Sequence, residues 1–234
     1  MTPRIRHVTA RQGYDLWADT YDRTPNPVVA MDQLVVPARV AAAPRERILD
    51  AACGTGRHFD ALLATGARVV GVDFAAGMLR VAARRSAAIP LVQADLEHPL
   101  PFVPRSFDHV LCSLVGEHLA DLASTFANLR AVLHDGGSLL FSVYHPLMAA
   151  AGIEANFERD GTEIRLGAYT HTTDDYRAAM TAAGFRSITV EEFTGTEALV
   201  ARVPSARKYV GAPILLLLAG ETPCAGDAGR RTTC

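Results

Sequence analysis

The chain has 234 residues, where one domain usually takes about 150, so it forms one large domain or two small ones. It is 49% hydrophobic and 21% charged, which excludes disordered and collagen-like classes. A formal net charge of −2 leaves no general electrostatic drive toward nucleic acid or an anionic membrane surface.

The basic residues at the N-terminus have no apolar core of roughly 7–15 residues behind them, so no secretory signal is expected. Within residues 10–22, Tyr14, Trp17 and Tyr21 fall at i, i+3 and i+7 and share one helix face. From Arg47 the order becomes regular. Strands are expected at Arg47–Ala52, Arg68–Asp73, Pro90–Asp95, Phe107–Leu114 and Ser138–Tyr144. Helical patterns lie between them: one starting near Gly56, one around Met78, and one through Leu119, Phe126 and Leu133 that ends at Asp135-Gly-Gly137. Short apolar strands alternating with helices predict a doubly wound α/β domain with a mostly parallel sheet.

Beyond Pro146 the rhythm breaks. Ile153–Arg159 and Glu163–Tyr169 flank Asp160-Gly161 as a hairpin, a helix is expected over Thr173–Ala183, and strand-like stretches follow at 187–199 and 213–219. The longest aliphatic run, Ile214 to Ala219, is far short of the ~20 residues that span a bilayer. Residues 221–234 read as a loose tail after a single domain over 1–220. The four cysteines form no CxxC pair and no zinc-finger spacing with histidines, so a reducing cytoplasmic setting is expected and no metal is demanded.

In open α/β sheets ligands bind beyond the carboxyl ends of the strands, where strand order reverses. Gly54 and Gly56 close the first strand in a turn that lets a ligand touch backbone. Asp73 ends the second strand, where a carboxylate can accept from both hydroxyls of a ribose. Asp95, ahead of Leu96, is placed to take an adenine amino proton. A nicotinamide dinucleotide is disfavoured, because its fingerprint wants a third small residue where Phe59 stands.

Four segments, Leu49-Asp-Ala-Ala-Cys-Gly-Thr-Gly-Arg-His58, Val72-Asp-Phe-Ala-Ala-Gly-Met78, Gln93-Ala-Asp-Leu96 and Arg130-Ala-Val-Leu-His-Asp-Gly-Gly137, resemble successive motifs of class I S-adenosylmethionine-dependent methyltransferases. The resemblance covers roughly residues 10–200. It implies a seven-stranded sheet whose last strand, near Ile214–Leu218, runs antiparallel. It also implies that Asp50, Ala52, Gly54 and Gly56 surround the methionine end of S-adenosyl-L-methionine and Asp73 holds the ribose. Phe74 and Met78 would flank the adenine, Asp95 and Leu96 read its edge, and Ser113 and Leu114 follow the fourth strand.

The stretch Gly13–Asp22 resembles the opening of small-molecule members of the same family. Residues 10–30 would then form a lid in which Tyr14 and Tyr21 close over the sulfonium and substrate. An acceptor that must lose a proton calls for a base, and three histidines stand at candidate positions. His145, just past the fifth strand and before Pro146, is expected to reach the acceptor. His118 would begin the helix after the fourth strand and contact the cofactor, and His171 would end the inserted hairpin. Residues 146–170 are expected to shape the acceptor pocket around the 45–145 cofactor core.

The expected function is methyl transfer to the hydroxyl, amine or activated carbon of a small molecule, by a monomer or homodimer with no nucleic-acid or membrane partner. The alternative keeps the cofactor as scaffold for a non-methylating cyclisation or isomerisation, ahead of a nicotinamide-dependent reductase.

Overall fold

A computed structural model describes residues 4–224 of the chain. The chain begins with β1 (Arg4–His7), α1 (Ala10–Tyr21) and α2 (Pro27–Val35). Two caps define those helices. Thr9 and Gln12 form a reciprocal capping box at the start of α1, and the Asn26 side chain accepts from Val28 and Val29 N–H ahead of Pro27 at the start of α2.

The core follows as β2 (Arg47–Ala51), α3 (Phe59–Ala64), β3 (Arg68–Asp73), α4 (Ala76–Arg85), β4 (Leu91–Gln93), β5 (Phe107–Ser113), α5 (Leu122–Val132) and β6 (Leu133–Tyr144). An insertion carries α6 (Pro146–Ala150), β7 (Asn156–Arg159) and β8 (Thr162–Arg165). The chain closes with α7 (Thr173–Ala182), β9 (Arg186–Thr194), α8 (Glu197–Arg202) and β10 (Pro213–Glu221). The main sheet runs β4-β3-β2-β5-β6-β10-β9, parallel except for β10, which is antiparallel to both of its neighbours. The doubly wound, seven-stranded sheet expected from the motifs is therefore present. Strand order reverses between β2 and β5, which opens a crevice at their carboxyl ends.

Two apolar layers pack on the sheet. One holds Leu49, Val110, Phe126, Phe141 and Leu216, and the other Ile48, Phe59, Val69, Leu111 and Leu217. Alternate residues of one strand enter opposite layers, as the pleat requires. Cys53 and Cys112 are buried free thiols in these layers.

Several local expectations are corrected. The first helix starts at Phe59 rather than near Gly56, because Gly54 and Gly56 both adopt positive φ and residues 54–58 form turns. Asp135-Gly-Gly137 does not cap α5, which ends at Val132. It lies within β6, where a Cβ on Gly137 would press 2.9 Å from the Asp108 carbonyl oxygen. The third strand stops at Gln93, so Asp95 sits in the following loop. The stretch 187–199 is not one strand: β9 ends at Thr194, and Thr196 caps α8 with its side chain.

β1 pairs in parallel with β8 to make a three-stranded sheet in the order β1-β8-β7, which the sequence pattern did not suggest. The start of the expected tail is also ordered. β10 includes Glu221, and buried Thr222 donates to His134 and Gly137 carbonyls; residues 225–234 lie outside the described residues.

Candidate active site

The crevice forms because β2 and β5 both end in residues bent into the left-handed region. Ala52 has φ 58° and Leu114 φ 54°, a conformation that non-glycine residues adopt at a cost on the order of 1 kcal/mol or more. These bends turn the chain out of the sheet plane and bring Ala52, Gly54, Asp73, Phe74, Met78, Leu114 and His118 around one cleft. At Gly54 an added Cβ would meet nothing within 4 Å, so the backbone there faces open space. At Gly56 a Cβ would lie 2.4 Å from the Phe59 ring, so this glycine is required by packing as well as by φ.

Asp73 is buried, with one carboxylate oxygen accepting from Gly54 N–H at 2.9 Å and the other from Ala75 N–H at 2.8 Å. Burial raises its pKa to about 6 against the pull of those N–H donors. It thus ties β3 to the glycine turn. Asp50 is also buried, its Oδ2 has no hydrogen-bond partner, and burial pushes its pKa to about 7. Asp95, Leu96, Phe74, Val115, His118 and Leu119 line an adjoining recess, where Asp95 accepts from Glu97 N–H.

α1 covers this cleft. It packs on α4 through Ala18, Ala75 and Met78, and Gly77 N–H donates to Asp15 at 2.6 Å. Tyr14 and Tyr21 both line the cleft, and the Tyr14 hydroxyl shares a 3.0 Å hydrogen bond with His118 Nε2. Trp17 stacks on Phe157 of the small sheet with ring centroids 4.8 Å apart. Thr55 and Arg85 both bind Asp22, closing the end of α1 over the glycine turn.

A buried polar network holds α2 to the sheet. Asp32 accepts from Ser113 at 2.8 Å, Ser142 at 2.5 Å and Arg57 at 3.2 Å, with His58 Nε2 at 2.8 Å. Burial acts to raise the Asp32 pKa, yet Arg57 and the hydrogen bonds outweigh it and bring it to about 2. Burial lowers that of His58, so at neutral pH Asp32 accepts from a neutral imidazole and Arg57 supplies the balancing charge. Ser113, expected at the cofactor, does line the cleft, but its hydroxyl is committed to this network. Sequence reasoning did not single out Asp32 or Arg57.

The three histidines part company. His118 lines the cleft, ends a short 3₁₀ turn (Gly116–His118) rather than beginning a helix, and is lowered to about 4 by burial, hence neutral. His171 approaches the Leu119 carbonyl with Nε2 at 2.7 Å and packs edge-on against Tyr176. His145 does not reach the cleft. Its Nδ1 accepts from Leu147 N–H to cap α6, and its Nε2 lies 3.3 Å from Glu192 of β9. Pro146 does hold His145 extended (φ −60°, ψ 135°), but that geometry makes it an N-cap.

A second cavity of about 310 Å³ adjoins the first and shares Tyr14, Tyr21 and Leu114 with it. Val28, Tyr144, Met148 and Ile153 give it apolar walls, and Glu117, Glu154 and Lys208 are its charged lining residues. The insertion thus contributes Met148, Ile153 and Glu154 from its first half, while its hairpin supports α1. No group of three or more His, Cys, Asp or Glu residues suited to a metal ion occurs among the described residues, and none of the described helices is long and apolar enough to cross a membrane.

Residues 49–141 match the family model of a methyltransferase domain. A demethylmenaquinone methyltransferase of Renibacterium salmoninarum is 36% identical over 140 residues, covering 57% of this chain and 58% of that one. A malonyl-[acyl-carrier protein] O-methyltransferase of Serratia marcescens is 39% identical over 99 residues, covering 42% of this chain and 38% of that one. The chain therefore spans less than three fifths of the length of these curated relatives. Among solved structures, an S-adenosylmethionine-dependent methyltransferase from Mesorhizobium loti superposes with a TM-score of 0.68 at 24% identity, over 84% of this chain and all of that one. Together these matches make residues 49–141 similar to a methyltransferase domain, and the seven-stranded sheet shares the fold of S-adenosylmethionine-dependent methyltransferases.

Proposed function

We propose that this protein transfers a methyl group from S-adenosyl-L-methionine to an apolar small-molecule acceptor. The observation that carries the reading is the pair of adjoining cavities, one built on the strand ends and the glycine turn, the other on α2 and the insertion. Tyr14, Tyr21 and Leu114 stand at their junction. When bound, the cofactor supplies an electrophilic methyl group on a cationic sulfur.

The residues present fit that group. The Asp73 carboxylate, between Gly54 and Ala75, is placed to accept from ribose hydroxyls, and Asp95 with Leu96 and Phe74 forms the recess for the base. Ala52 and Gly54 line the way to the sulfur end, where Arg57 adds a guanidinium; Asp50, with its unpartnered oxygen, and Gly56 belong to the same strand end and turn but do not line the cleft. Tyr14 and Tyr21 exclude water and align the acceptor, the main service a protein gives to an in-line displacement. Residues 10–30 act as the cover, 45–145 as the cofactor core and 146–170 as support for the acceptor side. One relative is named for demethylmenaquinone and the other for malonyl-[acyl-carrier protein]; the apolar walls favour a free small molecule of the first kind.

Calorimetric titration with S-adenosylhomocysteine tests the reading. Asp73→Ala removes charge-assisted hydrogen bonds worth about 1.5–3 kcal/mol, so affinity should fall roughly 10- to 150-fold. Unchanged affinity in a folded variant, or tighter binding of NADH by the wild type, would overturn it.

A further inference from the structure

We propose that Glu117 is the group that receives the acceptor's proton, and that the acceptor presents an aromatic or enolic hydroxyl to it. This rests on the methyl-transfer reading above. Glu117 is 92% buried, being 8% exposed, yet it lines the acceptor cavity and its Oε2 has no hydrogen-bond partner. A buried carboxyl without a partner is a cost that folding alone does not explain, and at a cavity wall it marks a group kept for a ligand.

The turn that carries Glu117 is held firmly from the insertion side. Tyr169 N–H donates to the Glu117 carbonyl at 2.8 Å, and His171 bonds the Leu119 carbonyl two residues on. Gly116, just before it, packs so closely that a Cβ would lie 2.8 Å from the Tyr176 hydroxyl and from a Val143 methyl. The side chain is therefore delivered from a rigid base, as a proton acceptor should be.

Its charged and titratable neighbours leave it without a counterion. His118, 3.8 Å away on the same turn, is neutral at physiological pH. Arg57 acts on it from the glycine turn but is paired with Asp32. Tyr14 and Tyr21 of α1, Tyr144 of β6 and Tyr176 of α7 all feel its charge, and burial keeps each of these phenols protonated. Of the other charged groups lining the cavity, Glu154 is engaged by Arg165 and by Gly167 N–H, whereas Lys208 lies against the Tyr209 ring. Burial pushes Glu117 up to about 7, which suits a base working near neutrality on a hydroxyl of phenolic acidity.

The step balances. An oxygen lone pair of the acceptor forms the new C–O bond, and the S–CH₃ bond breaks with its electrons passing to sulfur. The O–H proton moves to the Glu117 carboxylate. S-adenosyl-L-methionine is the only co-reactant. The carboxyl then returns its proton to solvent when the product leaves.

The test uses the full chain saturated with S-adenosylhomocysteine and the probe pair 2-naphthol and 2-methoxynaphthalene, titrated calorimetrically at pH 8. Wild type should bind the naphthol at least ~10-fold more tightly than its ether; Glu117→Gln should lose most of that preference and Glu117→Asp should keep part of it. With S-adenosyl-L-methionine and 2-naphthol, wild-type kcat should rise with pH through about 7, and Glu117→Gln should lose that limb along with ~10²-fold or more in kcat. Cofactor affinity should be unchanged in both variants. Equal preference in wild type and Glu117→Gln overturns the assignment, as does no saturable naphthol binding by the wild type, or a pH limb that survives in the variant. Failure of the wild type to bind S-adenosylhomocysteine overturns the methyl-transfer reading instead. Binding of both ligands with no turnover leaves the probe preference to decide Glu117.

Discussion

The two walls of the cleft are built by different means. On the strand side, a few neighbouring residues do everything: Asp73 bonds Gly54 and Ala75 N–H, and the left-handed Ala52 lies two residues before that glycine. On the helix side, contacts reach across the chain. Tyr14 meets His118 over 104 residues, and Asp32 meets Ser142 over 110. Backbone-anchored contacts need only the right turn, whereas long-range side-chain contacts need the whole fold assembled first. The strand wall should therefore tolerate loss of the helix wall better than the reverse.

The sharpest way to break that contrast is Asp32→Ala. It leaves the Arg57 guanidinium buried without a counterion and removes the acceptor for Ser113 and Ser142. A loss of about 3–5 kcal/mol is expected in urea denaturation, with Asp32→Asn costing less. A loss below 1 kcal/mol would show that α2 is not anchored through this residue.

Acidity separates the walls next. Asp50, Asp73 and Glu117 have pKa values raised by burial to about 7, 6 and 7, so the folded state holds protons that the unfolded chain releases. Their contribution falls as pH rises from about 4 through 7, by about 1.4 kcal/mol per tenfold change in proton affinity. Asp32 has the opposite sign: its depressed value gives stability present above about 3.8 and lost as pH falls toward about 2. Denaturation midpoints should accordingly be higher near pH 5 than at pH 8, and fall again below pH 4. A midpoint that climbs steadily to pH 8 would contradict the burial of these carboxyls.

Smaller effects sharpen the picture. Tyr14→Phe removes the bond to His118 while keeping the ring packed, so stability should fall by about 0.5–1.5 kcal/mol and S-adenosylhomocysteine should dissociate faster in stopped-flow. Asp19→Ala breaks an exposed pair with Arg84, and its effect on stability, read from thermal denaturation, should be within about 0.5 kcal/mol. A larger effect there would mean that surface charge, rather than buried contact, holds α1 down.

The same contrast explains what could be read from the sequence. The sheet, the glycine turn and Asp73 were legible because each rests on periodicity or spacing within some 25 residues. Asp32 was not, since nothing in Pro27–Val35 announces a carboxylate whose serine partners lie on β5 and β6. Glu117 stood beside the noted His118, but its burial and missing partner exist only in three dimensions. For His145 the local inference of extended backbone was right and the direction wrong, because a cap needs the same dihedrals as an outward-facing base. β1 gave no signal of its own: all four of its residues are exposed, and it is a strand only because β8 offers an edge.

The anchoring of Asp32 under α2 has a mechanical consequence. Raising α1 and α2 together would strip Asp32 from four donors at once, whereas raising α1 alone breaks Tyr14–His118, Asp15–Gly77, the pairs at Asp19 and Asp22 and the packing of Trp17 and Ala18, but leaves the buried Asp32 charge with its donors. The cheaper motion hinges between the helices, in the stretch from Arg23 to Asn26, with α2 staying behind as a fixed wall. Under the proposed methyl transfer, traffic into the cofactor cleft would then be gated by one twelve-residue helix, and the acceptor cavity would keep its α2 wall, Val28 included, while that gate swings.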